Sequence, residues 1–139
     1  MTVITDSICI NTQGNADCFN ITTHVADTLV NSGIENGIVT LFTPSATSGL
    51  TTIEYESGCL SDFRRLMDEL APPEKEYAHE ERWHDGNGHS HVRAALLGPS
   101  ITIPFIKQKL TLGTWQQIIF IDFDTHPRQR ELIVQIIGE

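Results

Sequence analysis

Hydrophobic and polar positions along the chain follow two spacings, which predict both strands and helices. Residues 3–12 alternate loosely between apolar and polar side chains and predict a strand. Apolar residues then recur at helical spacing over residues 21–30, with Asn20 before them as a candidate cap and Gly33 after them as a helix-ending residue. This part of the chain therefore predicts a strand followed by an amphipathic helix.

The middle of the chain predicts two strands and a second helix. Residues 38–43 form a β-branched apolar run, and residues 50–55 are rich in Thr, Ile and Tyr, so both segments predict strands. The small polar residues 44–49 between them predict a loop. Helical spacing returns over residues 60–70, and Pro72 and Pro73 end that helix.

The second half of the chain predicts mainly strands joined by short turns. A polar connection at residues 74–90 comes first, and a connection of this length in a small domain is often functional. Alternating patterns then predict strands at residues 91–97 and 101–105, and two further strands are predicted at residues 116–123 and 131–137. Because most connections are short, we expect neighbouring strands to be antiparallel.

These elements predict one α+β domain over residues 1–139, with mostly antiparallel sheets and two main helices packed on one face. A chain of 139 residues favours a single domain, and its hydrophobic fraction of 40% is enough to form a core. So many strands in a short chain also leave sheet edges, which an oligomer would cover.

The charge and composition of the chain argue against several classes of function. Nine Lys and Arg residues against 18 Asp and Glu give a net charge of −9, which opposes binding to nucleic acids and to anionic membranes. No apolar run approaches the roughly 20 residues of a membrane-spanning helix, and residues 1–11 do not resemble a secretory signal. The three cysteines form no CxxC pair, which fits a reducing compartment. We therefore expect a cytoplasmic protein with no nucleic-acid or membrane partner.

Four of the six histidines lie between positions 79 and 91 and form the most distinctive chemical feature. His89 and His91 are two residues apart, so on a strand their side chains would share one face. His79 would complete a set of three imidazoles from the preceding loop, and such a set suits a divalent metal ion. The alternatives are a solvated, histidine-rich acidic loop and a phosphate site without a metal.

Basic residues are few, so those near the histidines are informative. Arg93 follows on the same predicted strand, and Arg128 and Arg130 lie in the last turn. Guanidinium groups bind phosphate or carboxylate through two parallel hydrogen bonds. Ser45 and Thr47 add hydroxyl groups from a loop. Each residue alone can be an ordinary surface or ion-paired residue, but together they predict a site for an anionic ligand.

The segment around Trp115 predicts a wall of a binding pocket. Gly113 precedes it, and a glycine at the start of a strand indicates a close backbone approach. Trp115 would bound the pocket, and Gln116 would bind the polar edge of a ring. The alternative is a core tryptophan whose indole N–H donates to a carbonyl group.

Several stretches stand out when they are considered in order: TSGLTTIE at 47–54, YAH at 77–79, HVRAALLGPS at 91–100, LTLGTWQ at 110–116, PRQR at 127–130 and the end at 134–138. Their order and spacing resemble the YjbQ family, also called uncharacterised protein family UPF0047, over nearly the whole chain. The resemblance implies a small cytoplasmic α+β protein that assembles as a homotrimer.

The resemblance also implies an activity. Some members are named secondary thiamine-phosphate synthase, because a weak activity that joins hydroxymethylpyrimidine diphosphate to thiazole phosphate and expels pyrophosphate is associated with the family. The polar site of the family, near subunit boundaries, falls on His79, His91 and Glu54. Many members have a histidine where this chain has Ser45, and His89 is a candidate to compensate for it.

Our first hypothesis is therefore a thiamine-phosphate synthase-type transferase. The residues that we assign to it are Glu54, His91 and Arg93 as catalytic groups, Ser45, Thr47, Trp115, Gln116, Arg128 and Arg130 as substrate-binding groups, and His79, His89 and His91 as ligands of a divalent cation, zinc or magnesium. The second hypothesis is a non-catalytic trimer that binds a metal or an anion, and the third is a metal-assisted hydrolase.

Overall fold

The computed structural model describes residues 1–139 as eight strands and four helices. The strands are β1 (Thr2–Thr12), β2 (Asp17–Asn20), β3 (Gly37–Phe42), β4 (Ser48–Ile53), β5 (Ser100–Ile106), β6 (Lys109–Leu110), β7 (Gln117–Asp122) and β8 (Arg128–Gly138). The helices are α1 (Thr22–Ser32), α2 (Ser57–Leu70), α3 (Ala78–Trp83) and α4 (Gly88–Leu97). All strand pairs are antiparallel, which confirms the predicted α+β class.

The strands form two sheets. Five strands form the larger sheet in the order β1-β8-β3-β5-β6, and three form the smaller sheet in the order β2-β7-β4. β1 and β8 pair along their full length. None of the four helices combines the length and apolar composition that crossing a membrane would require.

The main core lies between one face of the larger sheet and one face of the smaller sheet, and α1 closes its side. Leu41 of β3, Val134 of β8, Phe120 of β7 and Leu29 of α1 are all fully buried there. Burial alternates from residue to residue along β3 and β8, since only one face of the larger sheet contacts the core.

A second hydrophobic layer covers the other face of the smaller sheet. Met67 of α2 and Ala94 of α4 pack there against Ile119 and Ile121 of β7. Both faces of β7 are therefore buried, which explains why its sequence is a continuous apolar run rather than an alternating one. The outer face of the larger sheet has no helix on it.

The predicted strand at residues 91–97 is wrong, because this segment lies in α4. Apolar residues occupy both alternating sets of positions there, so periodicity alone does not separate a strand from a buried helix. Ala and Leu favour a helix, and the buried residues Ser90, Arg93 and Ala94 recur at helical spacing. The preceding connection at residues 74–90 contains α3, and the short strand β2 was not predicted.

Two glycines stand opposite each other where β3 begins and β8 ends. Gly37 pairs with Gly138, and a Cβ atom on Gly37 would overlap the carbonyl oxygen of Ile137. We expect Gly37→Ala to lower the free energy of unfolding by about 1–3 kcal/mol, because the backbone atoms that it meets cannot rotate away. Denaturant unfolding monitored by circular dichroism would measure this change.

Gly113→Ala is the matched control. Gly113 is exposed, and the nearest atom to an added Cβ there is 3.7 Å away, which is ordinary contact. The control should change stability by less than about 0.5 kcal/mol. Equal stability of the two variants would contradict the close approach of β3 and β8.

Candidate functional site

A cleft of about 460 Å³ lies where the segment α3–α4 meets the loop before β4 and the start of β8. We call it the histidine–arginine cleft. Six of the predicted site residues line it: Ser45, Thr47, His79, His91, Arg128 and Arg130. Loops and elements that are distant in sequence therefore bring two imidazoles and two guanidinium groups to one place.

The two histidines of the cleft come from adjacent helices. The ring centroids of His79 on α3 and His91 on α4 are 4.5 Å apart, with an angle of 37° between the ring planes. The chain reverses between the helices through His84 and Gly86, both of which have positive φ angles. This tight reversal places histidines twelve positions apart side by side.

The carboxylate of Glu80 holds the reversal in place. It accepts hydrogen bonds from the backbone N–H groups of Gly86 at 2.6 Å and Gly88 at 2.9 Å. The Gly86 N–H is the main reason that the pKa of Glu80 is lowered, so this side chain is a carboxylate at neutral pH. Glu80 is not among the residues predicted from the sequence, although it lies next to His79 in a polar segment.

One imidazole and two carboxylates form a candidate metal-binding group at the edge of the cleft. Ligand atoms of His79, Glu80 and Asp85 lie within 4.8 Å of one another, and Nδ1 of His79 is 3.5 Å from Oδ1 of Asp85. This donor set fits a divalent cation such as zinc. It differs from the predicted set of three imidazoles, because two carboxylates replace His89 and His91.

The two arginines are oriented by buried carboxylates at the end of β7. Nε of Arg130 is 2.8 Å from Oδ2 of the fully buried Asp122, and its Nη2 donates to the Thr47 hydroxyl at 2.8 Å. Nε of Arg128 is 3.4 Å from Oδ2 of Asp124, but 46% of the Arg128 side chain is exposed. The guanidinium groups are thus fixed by the protein, and that of Arg128 also faces solvent.

The environment of Asp124 favours its charged form. Burial alone would raise the pKa of Asp124, but hydrogen bonds from the His126 backbone N–H, the Thr47 hydroxyl and Arg128 outweigh it and lower the pKa to about 2. Asp122 and Asp124 are not among the site residues predicted from the sequence. The sequence does contain a clue to both residues, because two acidic residues follow an apolar strand. Carboxylates at the end of a buried strand require charged or hydrogen-bonding partners.

His89 does not lie with the other two predicted ligands. Residues two positions apart on a helix point about 200° apart, so His89 and His91 face different sides of α4. His89 is 4% exposed and its ring centroid is 6.4 Å from that of Tyr77. Burial, with help from the charge of Arg93, lowers the pKa of His89. The prediction that these two side chains share one face is therefore wrong.

Arg93 also lies outside the cleft. It and His91 are two residues apart on a helix, where their side chains point in different directions, and not on one face of a strand. Its Nε donates to the carbonyl oxygen of Ala71 at 3.0 Å, and its Nη2 donates to Asp68 at 2.9 Å. Only 5% of the side chain is exposed. Arg93 therefore ties α4 to the end of α2, and its predicted position beside His91 is wrong.

The remaining predicted residues form a separate group at the other end of β4. Glu54 and Trp115 line a cleft of about 330 Å³ there, and Gln116 donates to the Thr52 hydroxyl at 3.0 Å. Trp115 is 72% exposed and is not a core residue. The six residues of β4 separate this group from the histidine–arginine cleft by roughly 17 Å.

The largest cleft, of about 610 Å³, follows α3 and contains none of the predicted site residues. Its charged side chains include three glutamates, at positions 76, 80 and 81, and a single lysine, Lys75. This excess of negative charge opposes an anionic ligand, so we take the histidine–arginine cleft as the candidate site.

Comparison with known proteins places the chain among proteins that share its length and fold. Residues 6–139 match the family described as UPF0047 protein YjbQ-like. The chain is 37% identical to a UPF0047 protein of Methanothermobacter thermautotrophicus, over 100% of this chain and 95% of the relative. It is 32% identical to UPF0047 protein YugU of Bacillus subtilis, over 93% and 96% of the two chains. The crystal structure of a YbjQ-like protein of unknown function from Sulfolobus solfataricus matches it with a TM-score of 0.94 and 31% identity, over 99% of each chain.

Replacement of Asp124 tests the buried charge network. The folded-state pKa of about 2 lies below the ordinary value of 3.8, so the carboxylate contributes stability above about pH 4 that is lost as the pH falls towards 2. Asp124→Asn should lower the free energy of unfolding at pH 7 by about 2 kcal/mol. It should also reduce the loss of stability between pH 4 and pH 2, measured by urea unfolding at each pH.

Asp62→Asn is the matched control, because the Asp62 side chain is 68% exposed on α2. This control should change stability by less than about 0.5 kcal/mol. An Asp124→Asn protein with the same pH dependence as the parent would show that Asp124 does not carry this charge network.

Proposed function

The chain belongs to the UPF0047 YjbQ-like family, and from that premise and the geometry of its site we propose that it binds and transforms a phosphorylated small molecule in the histidine–arginine cleft. The observation that supports the proposal is the meeting of two imidazoles and two guanidinium groups in one cleft. Guanidinium groups match phosphate oxygens in geometry and charge. The hydroxyl groups of Ser45 and Thr47 lie beside them.

The charges around the cleft indicate how such a ligand would be held. Asp122 and Asp124 balance Arg128 and Arg130, while Glu80 and Asp85 add negative charge from the segment α3–α4. A phosphate would therefore be bound by directional hydrogen bonds rather than by a strongly positive field. A cation between the phosphate and the acidic pair would remove the repulsion that remains.

A divalent cation, zinc or magnesium, fits this requirement. His79, Glu80 and Asp85 would hold it, and when bound it would neutralise charge that develops on phosphate oxygens. Of the two imidazoles, only that of His79 lies within 3.5 Å of a carboxylate. His91 is therefore the better placed of the two to hold or move a proton at the substrate.

We propose a reaction of the thiamine-phosphate synthase type, in which hydroxymethylpyrimidine diphosphate and thiazole phosphate are joined and pyrophosphate leaves. Such a reaction needs mainly positioning and stabilisation of negative charge, which the arginines and the cation would supply. Glu54, Trp115 and Gln116 lie at the other end of β4, so a role for them in this cleft requires a neighbouring protomer.

A homotrimer is part of the proposal, and the outer face of the larger sheet supports it. The centre of that face carries only apolar and uncharged polar side chains: Val3, Thr5, Ile38, Thr40, Phe42, Thr102, Ile133 and Gln135. Ile38, Phe42 and Ile133 are between 37% and 40% exposed. In a chain with a net charge of −9, an uncharged face is the one on which copies approach without repulsion.

Activity of variants tests the proposed reaction. We expect His91→Ala and Arg128→Ala to reduce the rate of thiamine phosphate formation from the two phosphorylated precursors roughly 100-fold or more, because each removes a group that acts on the substrate. Chromatography of thiamine phosphate and an assay of released pyrophosphate would measure the rate. His24→Ala and Arg65→Ala, which change exposed residues outside the cleft, should retain the parental rate.

The same assays separate the alternatives. Full activity in His91→Ala and Arg128→Ala would contradict the proposed site. Water-dependent release of phosphate without thiamine phosphate would favour a metal-assisted hydrolase. A third outcome is metal binding without turnover: calorimetry would show that the parent binds zinc or magnesium and that Asp85→Asn does not. This outcome would favour a non-catalytic metal-binding trimer, which the group around His79 also supports.

The mass in solution tests the trimer. Light scattering should give about three times the chain mass of 15.5 kDa, and Thr40→Glu should shift the protein to monomers because it buries a charge in the interface. Thr23→Glu, which changes an exposed residue of α1, is the control and should leave the trimer intact. A monomeric parent protein, or a trimeric Thr40→Glu variant, would contradict this interface.

A further inference from the structure

A second, smaller cleft adjoins the histidine–arginine cleft. It has a volume of about 320 Å³ and shares Ser45, Ala46 and His91 with its larger neighbour. Since the two clefts have three lining residues in common, they are neighbours, and a molecule that extends past these residues would reach both. We call the smaller one the alanine cleft, after Ala94 and Ala95, which form its wall on α4.

The two clefts differ sharply in chemistry. Arginines and aspartates line the larger one, whereas no aspartate, glutamate, lysine or arginine lines the alanine cleft. The side chains of Ala46, Ala94, Ala95 and Pro99 consist only of carbon and hydrogen. The hydroxyl of Ser48 already forms a hydrogen bond with Thr43 at 2.8 Å. The alanine cleft therefore offers an apolar surface with few polar groups, which is typical of the part of a site that holds the body of a small ligand.

Small side chains create the space. Ala94 is buried in the layer between α4 and the smaller sheet, while Ala95 next to it is exposed. α4 ends at Leu97, and Pro99 then carries the chain along the other side of the cleft. A larger side chain at position 95 would fill this space without entering the core.

We propose that the alanine cleft holds the flat, uncharged ring of a phosphate monoester whose phosphate group lies in the histidine–arginine cleft. This inference rests on the proposed function, because it needs the phosphate to be anchored among the arginines. His91 borders both clefts, so its imidazole lies where the ring joins the phosphate. Burial of the ring among alanine and proline side chains removes its apolar surface from water and adds affinity to that of the phosphate alone.

Three probe molecules and two variants test the inference. The probes are inorganic phosphate, phenyl phosphate and glycerol phosphate, whose affinities for the protein are measured by calorimetry in the presence of magnesium. Phenyl phosphate should bind about tenfold more tightly than inorganic phosphate, which corresponds to about 1.4 kcal/mol. Glycerol phosphate, which has a polar body, should show no such gain.

Ala95→Phe should abolish the gain for phenyl phosphate and leave the affinity for inorganic phosphate unchanged. Leu96→Phe is the matched control on the same helix, because Leu96 is 60% exposed and lines neither cleft. Ala95→Leu is a milder second variant that should show the same loss. In nuclear magnetic resonance spectra of the parent protein, phenyl phosphate should shift the Ala95 signal and inorganic phosphate should not.

The outcomes distinguish this inference from the function on which it rests. If none of the probes binds, the proposed phosphate site fails, and the ring site fails with it. If inorganic phosphate binds but phenyl phosphate binds no more tightly, only the ring site is overturned. A tenfold gain that survives in both Ala95→Phe and Ala95→Leu would place the ring elsewhere and would also overturn it.

Discussion

The arrangement of the molecule depends on the ion pair between Asp122 and Arg130. Asp122 ends β7 of the smaller sheet and is completely buried, whereas Arg130 lies near the start of β8 in the larger sheet. A buried carboxylate without a partner would be strongly destabilising. The pair therefore joins the two sheets at one end of the core and fixes the place where the arginines, Thr47 and the histidine helices meet.

The longer strands were predictable from the sequence because their local pattern and their tertiary environment agree. β3, β7 and β8 are rich in apolar and β-branched residues, which favour strands, so all three show in the sequence although only β7 has both faces covered. α4 was not predictable in this way. Val92 and Leu96, 43% and 60% exposed, fill its outer side with apolar residues and hide the helical period.

The error at α4 explains which parts of the site were foreseen. His79, Arg128 and Arg130 were identified from residue type and position alone, and the structure places them in one cleft. His89 and Arg93 were assigned through the strand period, and a helix turns both away from His91. Glu80 and Asp122 were missed because their roles depend on backbone N–H groups and on burial, which a linear sequence does not display.

The arginine side and the histidine side of the cleft belong to elements that differ in how firmly they are packed. Arg128 and Arg130 lie on β8, a strand at the border of the main core. His79 and Glu80 lie on α3, which has no buried residue. A segment with so little buried surface opens at a small fraction of the free energy needed to unfold the sheets. Opening of α3 would move His79 and Glu80 away from the arginines while the sheets stay folded, so the metal-binding group can come apart without global unfolding.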